Sequence, residues 1–121
     1  MRALMIAMTL APLMGGCALF QPAPLQEAVL PGSMEPIHAA AVSQDQAVFW
    51  VSSNGCTAKA DLTPVVRAVS DGSTITLRRI REDRCTHPVA EGVEMRWTFQ
   101  EMGLRPGARV SIENPYQMPV G

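Results

Sequence analysis

The densest group of residues that could bind a ligand lies between residues 78 and 87. It contains four arginines and a histidine, Arg78, Arg79, Arg81, Arg84 and His87. A guanidinium group binds a carboxylate or a phosphate through two parallel hydrogen bonds, so these residues form a candidate patch for an anionic ligand or a lipid headgroup. Glu82 and Asp83 lie among the arginines. Their charges favour the alternative, a solvated strand edge on which opposite charges neutralise one another.

The sequence does not indicate a catalytic site. Asp61, Asp83 and His87 are acids and a base that could take part in catalysis, but no nucleophile elbow and no metal-ligand spacing accompanies them. We therefore predict that the protein is not an enzyme and that it holds no cofactor and no metal ion. A small hydrolase and a protease inhibitor are the less favoured alternatives.

The N-terminal segment has the parts of a secretory signal. Arg2 supplies a positive charge, an uncharged apolar run extends from Ala3 to Met14, and two small residues precede Cys17. This run is shorter than the roughly 20 apolar residues that a membrane-spanning helix needs. We expect residues 1–16 to be a signal peptide that is removed.

The run Leu13-Met14-Gly15-Gly16-Cys17 resembles the cleavage site of bacterial lipoproteins, with Met14 where leucine is usual. The resemblance implies that Cys17 becomes the first residue of the mature chain and carries lipid. Several acyl chains anchor a protein firmly, because each buried methylene contributes about 0.8 kcal/mol. The residue after Cys17 is Ala18 and not the aspartate associated with retention in the inner membrane. In this the chain resembles lipoproteins sent to the outer membrane, which implies a domain facing the periplasm. The alternative is an ordinary signal cleaved near Gly16, without lipid.

The charge of the mature chain excludes one class of partner. From Cys17 onward the chain keeps nine of its ten Lys and Arg residues and all eleven Asp and Glu residues, a net charge of −2. Nucleic-acid-binding proteins show a basic excess, so nucleic acid is not an expected partner. The expected partners are the membrane, through the lipid on Cys17, and a protein of the cell envelope.

Cys56 and Cys85 remain once Cys17 is assigned to lipid. In an oxidising envelope compartment, two cysteines are most simply interpreted as one disulfide. The alternative is a metal site that adds His87, but the chain has two histidines and no Cys-x-x-Cys spacing. We predict a Cys56–Cys85 disulfide that stabilises the domain by about 3.5 kcal/mol, because it restricts the unfolded chain.

The mature chain divides into two parts. Residues 17–42 contain four scattered prolines and no sustained hydrophobic period, which is typical of a flexible, extended tether. A Pro-rich recognition segment is the alternative, but no Pro-x-x-Pro motif with flanking basic residues supports it. Residues 43–121 show short β-type runs separated by turn residues, and these predict one small β domain.

Asn54-Gly55 predicts a hairpin, because both central residues of its turn need a positive φ. This hairpin pairs Ser53 with Cys56 and Trp50 with Lys59. Side chains alternate between the faces of a strand, so one side of the hairpin is the expected core. That side carries Phe49, Val51, Cys56, Ala58, Ala60 and Leu62. On the other side, Trp50 and Lys59 form a predicted cation–π pair, a candidate surface contact.

A second hairpin is predicted for residues 65–69 and 74–77, with Pro64 marking a strand edge or a strand start. A bulge near Arg78 and Arg79 is expected to return Ile80 to the core. Residues 93–100 alternate most clearly, with Val93, Met95, Trp97 and Phe99 inward. A last strand is predicted at residues 109–113, and one helical turn at residues 101–104. The predicted fold is all-β, a small antiparallel sandwich or open barrel of five to six strands.

Residues 53–62, 83–85 and 101–107 resemble small exported bacterial proteins of unassigned function. The resemblance spans residues 47 to 115. It implies a self-contained, disulfide-linked domain, and it brings neither catalytic residues nor a metal motif. The sequence therefore predicts a membrane-anchored envelope lipoprotein with a binding or accessory role. A lipoprotein that binds a small anionic ligand or a metal is the alternative.

Overall fold

The structure is a computed structural model that describes residues 29–118. The predicted signal peptide and Cys17 lie outside these residues. The described chain forms seven strands and one 3-10 turn. They are β1 (Ser33–Met34), β2 (Ile37–Val42), β3 (Gln46–Val51), the 3-10 turn Lys59–Asp61, β4 (Leu62–Val69), β5 (Gly72–Arg79), β6 (Val93–Thr98) and β7 (Val110–Ile112).

The strands form two sheets. In the first sheet, β5 is central, with antiparallel β4 on one side and both β1 and β7 on the other. β7 runs parallel to β5, and every other strand pair in the described chain is antiparallel. The second sheet has the order β2-β3-β6. Neither sheet closes on itself, so the predicted all-β sandwich or open barrel is confirmed.

The core lies between the inward faces of the two sheets. Alternation along β5 and β6 gives each of these strands one apolar face, which is the pattern of a strand with one side buried. β3, the central strand of the second sheet, buries Ala47, Phe49 and Val51 on its inward face and also buries Val48 on its other face. The buried cluster consists of Ile37, Ala47, Phe49, Val51, Leu62, Ile75, Leu77, Met95 and Trp97. The rings of Phe49 and Trp97 meet edge to face, with centroids 5.8 Å apart. The predicted alternation of residues 93–100 is confirmed, with Phe99 also buried.

The second predicted hairpin is confirmed as β4 and β5. Pro64 lies on β4 opposite Leu77, and β4 is an edge strand of the first sheet. The N–H and C=O of Leu77 bond to the side chain of Asn114, on the side of β5 away from β4. Pro64 therefore occupies a position at which its missing N–H breaks no bond between the two strands.

Asn114 fills the space between β1 and β7 along one edge of β5. Its buried side-chain amide accepts from Leu77 N at 2.7 Å and donates to Leu77 O at 2.7 Å and to Glu35 O at 2.8 Å. This amide takes the place of a missing strand residue. It satisfies backbone groups that would each cost about 1–3 kcal/mol if left buried and unpaired.

The first predicted hairpin is wrong. β3 ends at Val51 and pairs with β2 and β6, and the residues that follow it form a loop. The hydroxyl of Ser53 accepts the backbone N–H groups of Gly55 and Thr57, which bends the chain away from β3. Cys56, Ala58 and Ala60, predicted for the core, are exposed.

The predicted Trp50–Lys59 pair is also wrong. Lys59 Nζ lies 5.4 Å from the centroid of the Trp97 ring and 2.8 Å from Glu101 Oε2. Trp50 lies on the outer face of the second sheet, and its partners in register are Ala39 and Glu94.

Three further expectations need correction. Residues 33–42, predicted as part of the tether, form β1 and β2, so the folded domain begins before residue 43. β5 pairs with β4 in unbroken register through Arg79, so no bulge occurs there and Ile80 is 48% exposed. Residues 101–103 form hydrogen-bonded turns rather than a helix, with Met102 N bonded to Thr98 O and Phe99 O.

Candidate functional site

Arg79 lies at the end of the core. Because β5 keeps its regular alternation, Arg79 follows Ile75 and Leu77 on the inward face. Its guanidinium group meets the carboxylate of Glu35, in the link between β1 and β2, through two hydrogen bonds of 2.7 and 2.9 Å. The side chains are 13% and 6% exposed. This is a bidentate, largely buried ion pair.

The remaining N–H groups of Arg79 are also used within the protein. Nη2 donates to Ser52 O at 2.9 Å, and Nη1 donates to Thr57 Oγ1 at 3.2 Å and to Arg81 O at 3.5 Å. The hydrogen bond with Glu35 is the largest cause of the raised pKa of Arg79, and burial opposes it. Because Ser52 follows β3, Arg79 joins the two sheets.

Asp83 forms a second polar centre next to Arg79. Its Oδ2 accepts from Asn54 N at 2.8 Å, Cys56 N at 2.9 Å, Thr57 Oγ1 at 2.8 Å and Ser53 Oγ at 3.3 Å. Its Oδ1 accepts from Cys85 N at 3.0 Å. Desolvation raises the pKa of Asp83, but the bonds from Cys85, Cys56, Thr57 and Asn54 together outweigh it and hold the pKa well below its usual range.

The predicted disulfide between Cys56 and Cys85 is confirmed, with Cα atoms 5.8 Å apart. The backbone N–H groups of both cysteines donate to the one carboxylate of Asp83. Two backbone bonds continue the contact, from His87 N to Asn54 O and from Val89 N to Ser53 O, each 2.9 Å. The loop of residues 52–58 is thus fixed to residues 83–89 by the disulfide, by the carboxylate of Asp83 and by these two backbone hydrogen bonds.

Cys56, Asp83 and Cys85 have potential metal-ligand atoms within 4.8 Å of one another. A thiolate is the form of cysteine that binds a metal. The sulfurs of both cysteines are bonded to each other here, so this group does not present two thiolates.

Glu35, Ser52, Ser53, Asn54, Arg79 and Asp83 line a cavity of about 210 Å³. Typical small-molecule sites measure about 300–1,000 Å³ and are mostly apolar. This cavity is smaller and lined by polar residues. Among the described residues, every buried side-chain nitrogen and oxygen atom has a hydrogen-bond partner.

Alternation along β5 separates two residues of the predicted anion-binding patch. Arg78 points to the face opposite Arg79, and its guanidinium group donates to Pro31 O at 2.6 Å and Gly32 O at 2.9 Å. Arg81 is exposed and lies 3.4 Å from Asp61. The two remaining residues of the patch, Arg84 and His87, are exposed. A ligand-binding role for these two and Arg81 stays a prediction.

Sequence reasoning missed Glu35 as the partner of Arg79 and treated Asp83 only as a neutralising charge. Glu35 lies in the segment assigned to the tether, where its acidic side chain next to Pro36 was the available signal. Glu101 was missed as well. Its hydrogen bonds with Lys59 and Thr98 lower its pKa to about 2.

A serine–histidine contact also lies near the cavity. His38 Nε2 is 3.1 Å from Ser52 Oγ, and the side-chain amide of Gln117 contacts the same oxygen. Such a contact is the first part of a nucleophile–base pair, which needs a third group to orient the histidine. Within residues 29–118 no carboxylate bonds to His38, and the contact ties residue 117 to β2 and the end of β3.

The chain matches no family model, no curated protein and no solved structure. The resemblance to small exported bacterial proteins therefore stays a prediction.

The Glu35–Arg79 pair can be tested by a double-mutant cycle. Glu35→Gln leaves the Arg79 charge buried without its partner, so we expect the free energy of unfolding to fall by about 3 kcal/mol. In the cycle, Glu35→Leu combined with Arg79→Met leaves no buried charge, and we expect a smaller loss of stability than the sum of the losses for Glu35→Leu alone and Arg79→Met alone. Urea unfolding measures the free energy of unfolding of each variant.

Glu113→Gln, in the exposed pair with Arg67, is the control and should change stability by less than about 1 kcal/mol. An equal effect of Glu35→Gln and Glu113→Gln would contradict the role given to Arg79.

Asp83→Asn tests the second polar centre through pH. The folded pKa of Asp83 is depressed, so the ionised carboxylate stabilises the fold above the ordinary value of 3.8, and this contribution is lost as the pH falls below it. We expect the wild type to unfold at a higher urea concentration than Asp83→Asn near neutral pH, with the difference shrinking below pH 4. Glu82→Gln, at the exposed residue next to Asp83, controls for loss of one surface charge. A difference that does not change with pH would argue against the ionised carboxylate.

Proposed function

We propose that this protein is exported to the cell envelope, is anchored to a membrane by lipid on Cys17, and binds a partner protein through its β domain. The observation that carries the export proposal is the Cys56–Cys85 disulfide. Disulfides persist in oxidising compartments and are rare in the cytosol. The signal-like segment of residues 1–16 supports the same compartment from a separate part of the chain.

The lipid anchor follows from the lipoprotein-like run that ends at Cys17. Residues 29–118 contain no helix with the length and apolarity of a membrane span. Leu30 lines a groove beside Met34 and Val65, and Arg78 binds the carbonyl groups of Pro31 and Gly32. The proposed tether therefore shortens to residues 17–28, which reach at most about 40 Å when fully extended.

A binding role is favoured over catalysis by the way in which the polar residues are used. Arg79, Glu35 and Asp83 are the charged groups of the cavity, and all three bond to other parts of the domain. A catalytic acid or base needs a proton-transfer partner in the substrate. These groups instead hold the end of the sandwich together, which fits a rigid domain with a preformed surface.

The outer face of the second sheet is the proposed contact surface. Trp50 is half-buried there and lies between Ala39 on β2 and Glu94 on β6. Glu94 forms a 3.0 Å ion pair with Arg96 at the border of this face. Tryptophan and arginine are enriched among the residues that dominate protein–protein binding.

The anionic-ligand alternative rests on fewer residues than the sequence suggested. Arg78 and Arg79 are bonded within the domain, which leaves the exposed residues Arg81, Arg84 and His87 for such a ligand.

Cys17→Ser tests the anchor in cells. We expect the wild type to incorporate a labelled fatty acid and to sediment with membranes, because acylated Cys17 holds it there. Cys17→Ser should take up no label and leave the membrane fraction. The matched control is Cys56→Ser combined with Cys85→Ser, which removes two cysteines but keeps Cys17 and should retain the label. Absence of label from the wild type, or label on Cys17→Ser, would refute the anchor.

Site-specific cross-linking tests the contact surface. We expect a photoreactive residue at position 50 to give a discrete cross-linked product with an envelope protein. The same residue at position 67, an exposed site on the other sheet, should not give this product. Trp50→Ala should weaken co-purification of that partner without lowering the free energy of unfolding by more than about 1 kcal/mol, because Trp50 lies outside the buried core cluster. No product at position 50, or the same product at position 67, would count against this face.

A further inference from the structure

Asn54 and Gly55 form a pair that can react without an enzyme. The backbone nitrogen of a glycine can attack the side-chain amide carbon of a preceding asparagine, because glycine has no side chain to hinder it. The attack forms a succinimide ring and releases ammonia, and water then opens the ring to aspartate or isoaspartate. Asn54 and Gly55 form the one Asn-Gly pair in the chain, and both residues are exposed.

In the folded protein, the attacking nitrogen and the departing amide nitrogen are each held by a hydrogen bond, and so are the backbone N–H and C=O of Asn54. The attacking nitrogen of Gly55 donates to Ser53 Oγ at 3.1 Å. The amide nitrogen that would leave, Asn54 Nδ2, donates to Asp83 O at 3.1 Å. The backbone N–H of Asn54 donates to Asp83 Oδ2 at 2.8 Å, and its C=O accepts from His87 N at 2.9 Å.

Three of these four hydrogen bonds connect Asn54 to residues 83–87. The Cys56–Cys85 disulfide joins the same two segments covalently. Ring closure must turn the Asn54 side chain away from Asp83 and toward Gly55 N, so the contact between the segments has to open first. Groups that react only after local opening react at a rate set by the free energy of that opening.

We infer that Asn54 is a site of spontaneous deamidation, and that the Cys56–Cys85 disulfide protects it by keeping the loop of residues 52–58 in contact with residues 83–89. Reduction of the disulfide removes the covalent link and allows the loop of residues 52–58 to open. Deamidation then replaces the donor Nδ2 with a carboxylate oxygen facing Asp83 O, and adds a negative charge beside the Asp83 carboxylate. Like charges repel, so the product closes less tightly than the original loop. Deamidation is irreversible, so the deamidated fraction of the protein increases with the time spent without the disulfide.

Asn114 is a control within the same chain, because the protein has two asparagines. Pro115 follows it, and proline has no N–H to supply the attacking nitrogen. The Asn114 amide is also buried, with Nδ2 bonded to Glu35 O and Leu77 O.

The experiment follows deamidation of the purified full-length protein by peptide mass mapping in mildly alkaline buffer, with and without a thiol reductant. We expect Asn54 to deamidate at least about tenfold faster after reduction, with Asn114 unmodified in both samples. Equal rates in the oxidised and reduced protein, or an intact Asn54 after reduction, would overturn the inference.

Reduction could unfold the whole domain, so a variant with the disulfide intact gives a second test. Asp83→Asn removes the carboxylate that binds Asn54 N, and we expect its oxidised form to deamidate faster than the oxidised wild type. Glu82→Gln, which removes a neighbouring exposed charge without creating an Asn-Gly pair, should deamidate at the wild-type rate. A rate for Asp83→Asn equal to that of Glu82→Gln would show that the contact with Asp83 does not protect Asn54. The effect of the charged product on stability is tested with Asn54→Asp. This variant should have a lower melting temperature than the uncharged control Asn54→Ser. A melting temperature equal to that of the control would remove the proposed effect of the new charge.

Discussion

The arrangement of the two sheets depends on the hydrogen bonds and the ion pair made by the guanidinium group of Arg79. It extends from β5 in the first sheet to Ser52 O at the end of β3 in the second, and to Glu35 in the link between β1 and β2. A sandwich with open edges has no continuous ladder of backbone bonds between its sheets. Contacts at the ends of the core therefore add to the packing of the buried cluster in fixing how one sheet lies against the other. A bidentate pair with Glu35 does this with directional bonds that apolar packing does not supply.

Thr57 extends this interaction into a network. Its hydroxyl accepts from Arg79 Nη1 and donates to Asp83 Oδ2, so Glu35, Arg79, Thr57 and Asp83 form one connected series. Each charged member has partners, which is the condition under which a buried polar network stabilises a fold. The disulfide lies at the far end of the series, where both cysteines donate their N–H groups to Asp83. The loop of residues 52–58 therefore takes its shape from polar contacts with distant parts of the chain.

The sequence predicted the parts of the fold that local alternation determines. The strand at residues 93–100 and the hairpin of β4 and β5 follow from period-two patterns, and the disulfide follows from counting cysteines. The prediction failed at Asn54-Gly55, because Asp83 Oδ2 accepts the N–H of Cys56 and Val89 N donates to the C=O of Ser53, and these are the two groups that a two-residue hairpin turn would have paired. It also failed at Arg79, because an inward arginine is acceptable only with Glu35, which is 44 residues away in the sequence. Local patterns carry no information about such distant partners.

The same network of polar contacts limits which surface of the domain can bind a ligand or a partner. Groups with the chemical character of a binding or catalytic site, in the cavity between Glu35 and Asp83, are bonded to each other across two sheets and a loop. Recruiting them for a ligand would break the contacts that hold the sheets together, at a cost of several kcal/mol for each uncompensated charge. Surfaces that take no part in these contacts can bind a partner without breaking them. The proposed contact surface, the outer face of β2, β3 and β6, is one of them. Arg78 and Arg79 of the predicted ligand patch therefore hold the scaffold, whereas the proposed contact uses Trp50 on the outer face of the second sheet.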